Sequence, residues 1–222
     1  MSNLVLITSV INTPNLPLSY SKVRSVFTRG QRFTQTKQTI ESIKEKIPDH
    51  KMMIVECTDF TKEEKDYFDK ECDYILNLWD RKEVHKKIFG PSKSLGEGTM
   101  TIEALEYIFE QKIEFENLYK ICGRYWLNAD FKYNAYNNSS DIFKKIDNNI
   151  NNIFTSFYKV TNKTAKKLLL FLKKNEEKMI QYIGYEVLFG YFLRLLRYSN
   201  IQFVDYIGYE GQVTVCGSKY IG

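Results

Sequence analysis

Leu4-Val-Leu-Ile-Thr-Ser-Val-Ile11 is a short, β-branched apolar run, and Asn12-Thr-Pro-Asn-Leu-Pro17 closes it with turn residues. A run of this kind reads as a strand buried on both faces, at the centre of a sheet. Downstream, Thr39, Ile40, Ile43 and Ile47 recur at helical spacing within residues 34–47, and Pro48-Asp49 ends that helix. A second strand follows at 51–57. Thr61-Lys-Glu-Glu64 is a capping box that opens a helix through Glu71, and Asp73-Tyr-Ile-Leu-Asn77 is a third strand. Strand, helix, strand, helix, strand predicts an α/β fold: an open, mainly parallel sheet flanked by helices.

The remainder extends this pattern. We expect a glycine-punctuated loop, a helix near 99–110, a strand at 118–123 and a surface excursion at 134–152 with one helical turn around 141–146. A strand at 153–160 follows, then a mostly helical stretch over 164–198 broken at Gly184, and tail strands at 204–207 and 212–216. At 222 residues, residues 1–222 read as one domain. Apolar residues make up 43% of the chain, which suits a packed globular core.

Composition also excludes classes of function. The longest apolar runs, 4–7 and 168–172, are far below the roughly 20 residues of a membrane-crossing helix, and no signal-peptide pattern opens the chain, so a cytoplasmic protein is expected. Cys57, Cys72, Cys122 and Cys216 are widely spaced, as free thiols are. The net charge of +5 comes from lysines interspersed with acids, which reads as solvated helix faces and not as a nucleic-acid groove. It still favours an anionic small ligand.

An open α/β sheet binds ligands beyond the carboxyl ends of its strands, so chemistry is sought in the loops after Ile11, Cys57, Asn77 and Gly123. In Pro91-Ser-Lys-Ser-Leu-Gly-Glu-Gly-Thr-Met100, Lys93, Ser94 and Gly96 lie just before an expected helix, where backbone N–H groups, hydroxyls and an ammonium can face a phosphate or a ribose. A capped helix start is the alternative. In Cys122-Gly-Arg-Tyr-Trp126, Gly123 permits close backbone approach and Arg124 offers planar donors to a diphosphate, with Tyr125 beside them. Arg124 paired with a structural carboxylate is the alternative there. Arg24, Arg29 and Arg32 cluster between the first strand and its helix, within reach of a phosphate or simply solvated. Glu186 sits in an aromatic and aliphatic stretch, where desolvation raises a carboxyl pKa toward that of a general base. The helix dipole near a helix start acts the other way. Asp130, Asp205 and Glu210 are further carboxylates near strand ends.

The order of these segments, from the first strand to Lys93-Ser-Leu-Gly-Glu97 and Lys120-Ile-Cys-Gly-Arg-Tyr-Trp126, resembles small GT-A-like glycosyltransferases over nearly the whole chain. The resemblance implies a nucleotide-diphosphate sugar as donor and a glycan, lipid or small molecule as acceptor. It places Thr8, Ser9 and Asn12 beside the nucleoside, Lys93, Ser94 and Gly96 at ribose or phosphates, and Glu186 where the acceptor hydroxyl approaches. The family's metal-binding Asp-x-Asp is missing, and Gly123-Arg124-Tyr125 stands in its region. That implies either a metal-independent enzyme, with Arg124 or a lysine stabilising the leaving diphosphate, or a manganese or magnesium ion held by a single carboxylate such as Asp130. A non-catalytic nucleotide or glycan binder and a nucleotidyltransferase are the rival readings.

Overall fold

A computed structural model describes residues 2–222. In chain order the elements are β1 (Asn3–Ser9), α1 (Arg29–Lys46), β2 (His50–Glu56), α2 (Lys62–Glu71), β3 (Tyr74–Asn77), α3 (Lys82–Phe89), α4 (Lys93–Glu110), β4 (Asn117–Cys122) and β5 (Tyr125–Leu127). They continue as α5 (Tyr133–Tyr136), β6 (Asp141–Ile146), β7 (Asn149–Thr161), α6 (Asn162–Lys174), α7 (Glu176–Ile180), α8 (Tyr185–Leu195), β8 (Ile201–Val204), β9 (Tyr209–Gln212) and β10 (Lys219–Ile221). A seven-stranded sheet runs β3-β2-β1-β4-β7-β6-β8, and β7 alone points against the others. A small sheet, β10-β9-β5, is antiparallel throughout. The chain has a GT-A-like fold.

Along β1 the side chains alternate between two cores. Leu4 and Leu6 join the cluster under α4, α6 and α8, whereas Val5 and Ile7 join the one under α1. Burial on both faces is what gives a central parallel strand its unbroken apolar sequence. The helical crossovers β1–α1–β2 and β2–α2–β3 carry the chain to one side and β4 lies on the other, so the strand order reverses between β1 and β4. A cleft opens there, beyond the carboxyl ends of the two strands.

Several boundaries differ from expectation for identifiable reasons. α1 begins at Arg29, because Thr28 and Gln31 form a capping box that the apolar spacing does not reveal. The stretch read as a glycine-rich loop is the first turns of α4: Ser92 caps it by accepting from Leu95 N. Its glycines serve packing, since a Cβ on Gly96 would lie 2.8 Å from the Ile88 carbonyl oxygen and one on Gly98 would strike the Met179 sulfur. Residues 141–146, expected as a helical turn, form β6. Asp141 is buried there, accepting from Thr161 N (2.8 Å) and the Thr164 hydroxyl (2.6 Å), so the strand is fixed by partners from β7 and α6. In the tail, β8 ends where a strand was expected to start, and 213–218 is a turn with Gly217 at φ +73°.

Candidate functional site

The cleft at the strand reversal is a cavity of about 310 Å³. Its floor comes from Val10 after β1, Arg124 and Tyr125 after β4, and Thr155 and Ser156 of β7; α4 and α8 supply one wall, and Val213–Val215 with Tyr220 another. The long segment between β1 and α1 closes over it, tied down by Ser19 N to Pro91 O (2.9 Å) and Val26 N to Thr214 O (2.9 Å).

One wall is cationic. Arg32 of α1 is 6% exposed; its Nε donates to the Val10 carbonyl, and its Nη1 has no partner. Burial and the nearby Arg124 pull its pKa down to about 10, with Glu56 opposing, which leaves it a cation at neutral pH. The guanidinium of Arg124 lies 5.3 Å from the Tyr125 ring centre, and its Nε is likewise unpartnered. Neither guanidinium makes an ion pair within the protein among the described residues. Two such groups beside each other favour an anion between them.

The facing wall is acidic, with a lysine. Lys93 and Glu97, one turn apart on α4, approach to 3.5 Å. Burial works against ionisation of Glu97, but Lys93, Lys120 and Arg124 outweigh it and hold its pKa below the ordinary carboxylate range. Glu186, in the first turn of α8, is pushed the other way, by burial and then by the negative charge of Glu97, with Lys93 opposing. The two carboxyls are thus displaced in opposite directions, Glu186 upward and Glu97 downward. Lys120 lies below, buried, donating to Thr155 O (2.8 Å) and to the Cys122 sulfur (3.0 Å). A second chamber of about 270 Å³ adjoins, sharing Tyr20, Lys93, Glu97 and Glu186 with the first.

Of the residues expected from the sequence, the fold gathers Arg32, Lys93, Gly96, Arg124, Tyr125 and Glu186 on the cavity, and Ser94 on the adjoining chamber. Others serve the scaffold. The Thr8 hydroxyl faces the Cys122 sulfur at 3.8 Å, and the Ser9 hydroxyl faces that of Thr36 at 3.1 Å. Asn12 braces the loop through Thr58 (3.2 Å) and Asp59 (2.9 Å). A Cβ on Gly123 would lie 2.8 Å from the Ser9 Cβ, and its carbonyl accepts from Thr36 (2.9 Å), so this glycine allows α1 and β1 to pack closely. Asp130 is on the exposed surface, accepting from Tyr206 OH at 3.2 Å, away from the cavity.

Among the three clustered arginines, Arg24 lines the cavity but spends its donors on the carbonyls of Leu16, Ile88, Phe89 and Gly90. Arg29 pairs with Glu64 (2.6 Å) and Asp59 (3.3 Å). Glu97 was missed because its segment read as a loop; its i, i+4 relation to Lys93 is the signal once the helix is known. The wall from Val213 to Tyr220 has no local signal at all.

A divalent cation asks for an oxygen-rich shell. Among the described residues no group of three or more His, Cys, Asp or Glu side chains gathers. The cavity carboxylates are Glu97, which faces Lys93, and Glu186, and the end of β4 presents a guanidinium. This donor set does not fit a tightly held divalent cation.

No protein-family model matches the chain, and no curated protein matches it in sequence. Among solved structures, the chain is similar to core-mannan synthase A from Aspergillus fumigatus in its Mn/GDP form. The TM-score is 0.57 at 9% identity, over 94% of this chain and 73% of that one. The likeness is one of fold. No helix among the described residues is long and apolar enough to cross a membrane.

Proposed function

We propose that the protein is a glycosyltransferase, moving a monosaccharide from a nucleotide-diphosphate sugar to a hydroxyl acceptor. The observation that carries this reading is the pair of guanidiniums, Arg32 and Arg124, each with an unpartnered nitrogen, at the strand reversal opposite Glu186. A diphosphate fits between the arginines, and the sugar then lies toward the carboxylates. Glu186 takes the acceptor proton as the acceptor oxygen bonds to the anomeric carbon. The bond from that carbon to the diphosphate breaks, and its electron pair leaves on a phosphate oxygen. Arg32 and Arg124 oppose the charge developing there, in a partly desolvated site where such contacts are strongest. Glu97, held ionised, raises the basicity of Glu186. In this reading the guanidiniums take the role that a metal has in Asp-x-Asp enzymes of the fold; the Mn/GDP form of core-mannan synthase A is in keeping with a nucleotide donor.

Nucleoside diphosphates, with and without chelator, provide the test through the melting temperature, because a ligand that binds only the native state raises it. A rise that survives chelator is expected. A rise lost in chelator and restored by manganese contradicts the arginine role, and no rise with any nucleotide contradicts the donor site.

A further inference from the structure

α1 carries charges at Lys37, Glu41, Lys44, Glu45 and Lys46, away from one stretch near its start. Its Gln31, Thr34, Gln35 and Gln38 recur at i, i+3, i+4, i+7 spacing and share one uncharged, amide-rich face. Opposite that face, Trp126 of β5 and Gln212 of β9, with Phe27 at one end, complete an open groove of about 450 Å³. It shares no lining residue with the catalytic cavity: Gln212 faces the groove, while its neighbours Val213 and Thr214 face the cavity.

The groove is built from fixed parts. Gln35 is 4% exposed; its Nε2 donates to Gln212 Oε1 at 2.6 Å, and its own Oε1 has no partner. The Trp126 indole N–H donates to Glu210 at 3.0 Å, and Glu210 is in turn paired with Lys219 at 2.7 Å, which sets the ring's orientation. No charged side chain lines the groove, so it offers no countercharge to a phosphate or nucleic acid. Amides supply both donors and acceptors, and the rings supply apolar faces. A sugar presents the complement, with hydroxyls around its rim and C–H groups on its faces. The volume lies in the range of about 300 to 1,000 Å³ usual for small-ligand sites.

We propose that this groove binds a neutral saccharide, with hydrogen bonds from the Gln31 and Gln212 amide NH2 groups, whose oxygens already accept from Thr28 and Gln35, and with the Gln38 amide, and a ring stacked on Trp126. The inference goes beyond sugar transfer and stands without it, since the groove and the catalytic cavity are separate.

Trp79 and Trp126 are the two tryptophans of the chain, so fluorescence reads the groove directly. In the Trp79→Phe variant, titration with neutral oligosaccharides is expected to give a saturable change in Trp126 emission. Gln38 is exposed and lines the groove but not the cavity, so Gln38→Ala in that background is expected to weaken the affinity about fivefold, the size of one hydrogen bond. The reciprocal variant, Trp126→Phe, keeps Trp79 and should lose the response, which covers a Trp79→Phe protein that fails to fold. Absence of a saturable change with every neutral saccharide, an unchanged midpoint in Gln38→Ala, or a response retained in Trp126→Phe overturns the proposal.

Discussion

The two walls of the cavity differ in origin as well as in charge. Arg32 and Arg124 come from the first turns of α1 and the end of β4, in the parallel half whose strands and helices follow one another in sequence. Glu97 comes from α4, and Glu186 from α8, beyond that half; they meet because α8 packs across β7 and α4. The arginine wall offers two guanidiniums, each with one unpartnered nitrogen, and in the carboxylate wall the charge of Glu97 pushes the Glu186 pKa upward. In the proposed reaction the first holds the leaving group and the second sets the basicity of the attacking side.

The largest effect should follow removal of the base. Glu186→Gln keeps the shape and loses the proton acceptor, so turnover falls about 10²- to 10⁴-fold, while nucleotide affinity changes little. Initial rates and calorimetric affinity on one preparation check this, and equal losses in both would move Glu186 from chemistry to binding.

Next in size is the arginine wall. Arg124→Lys keeps a charge but removes the planar fork, so nucleotide affinity should fall roughly tenfold and turnover up to about a hundredfold. Normal affinity in a protein of lowered melting temperature would make Arg124 structural and break the contrast between the walls.

The coupling is read in the pH profile of kcat/KM. Because the Glu186 pKa is raised, activity should fall as pH drops through a value above the ordinary glutamate range, where the base becomes protonated. Glu97→Gln removes the negative neighbour and should move that limb to lower pH; Lys93→Ala removes the opposing cation and should move it higher. Stability carries opposite signs at the two groups. The contribution of Glu97, whose pKa is lowered on folding, is present above the ordinary range and lost as pH falls through the lowered value. That of Glu186, whose pKa is raised, is present below the ordinary range and lost as pH rises through the raised value. A limb that stays in place in both variants would show that the carboxyls titrate independently.

The smallest effect is expected at Arg24, which lies on the same cavity but clamps the carbonyls at the end of α3. Arg24→Lys should lower the melting temperature by a few degrees, about 1 kcal/mol, and change nucleotide affinity by less than about twofold. A tenfold loss of affinity would assign Arg24 to the arginine wall.

The alternation of β1 to β3 with α1 and α2 was legible in the sequence because burial on two faces and helix capping are local signals, and the order of the segments pointed to the fold. That Arg124 and Glu186 lie on the cavity was legible for the same reason, one following a glycine at a strand's end and the other an acid in an apolar helix. Glu97 was hidden because Gly96 and Gly98 made a helix look like a loop, although they are there to admit Ile88 and Met179. β6 was hidden because Asn- and Ser-rich flanks mimic a turn, while the partners that fix Asp141 lie some twenty residues away. Thr8, Ser9 and Gly123 lie at the carboxyl end of the sheet but not on the cavity lining, because which side of a strand faces the cavity depends on how closely α1 packs.

Sugar transfer itself is tested most directly by incubating the protein with a panel of nucleotide-diphosphate sugars and hydroxyl acceptors and following release of nucleoside diphosphate. Release from at least one donor is expected in the presence of chelator, with its loss in Glu186→Gln protein that still binds the nucleotide. No release from any donor by folded protein, or release that Glu186→Gln leaves untouched, would contradict the proposed transfer.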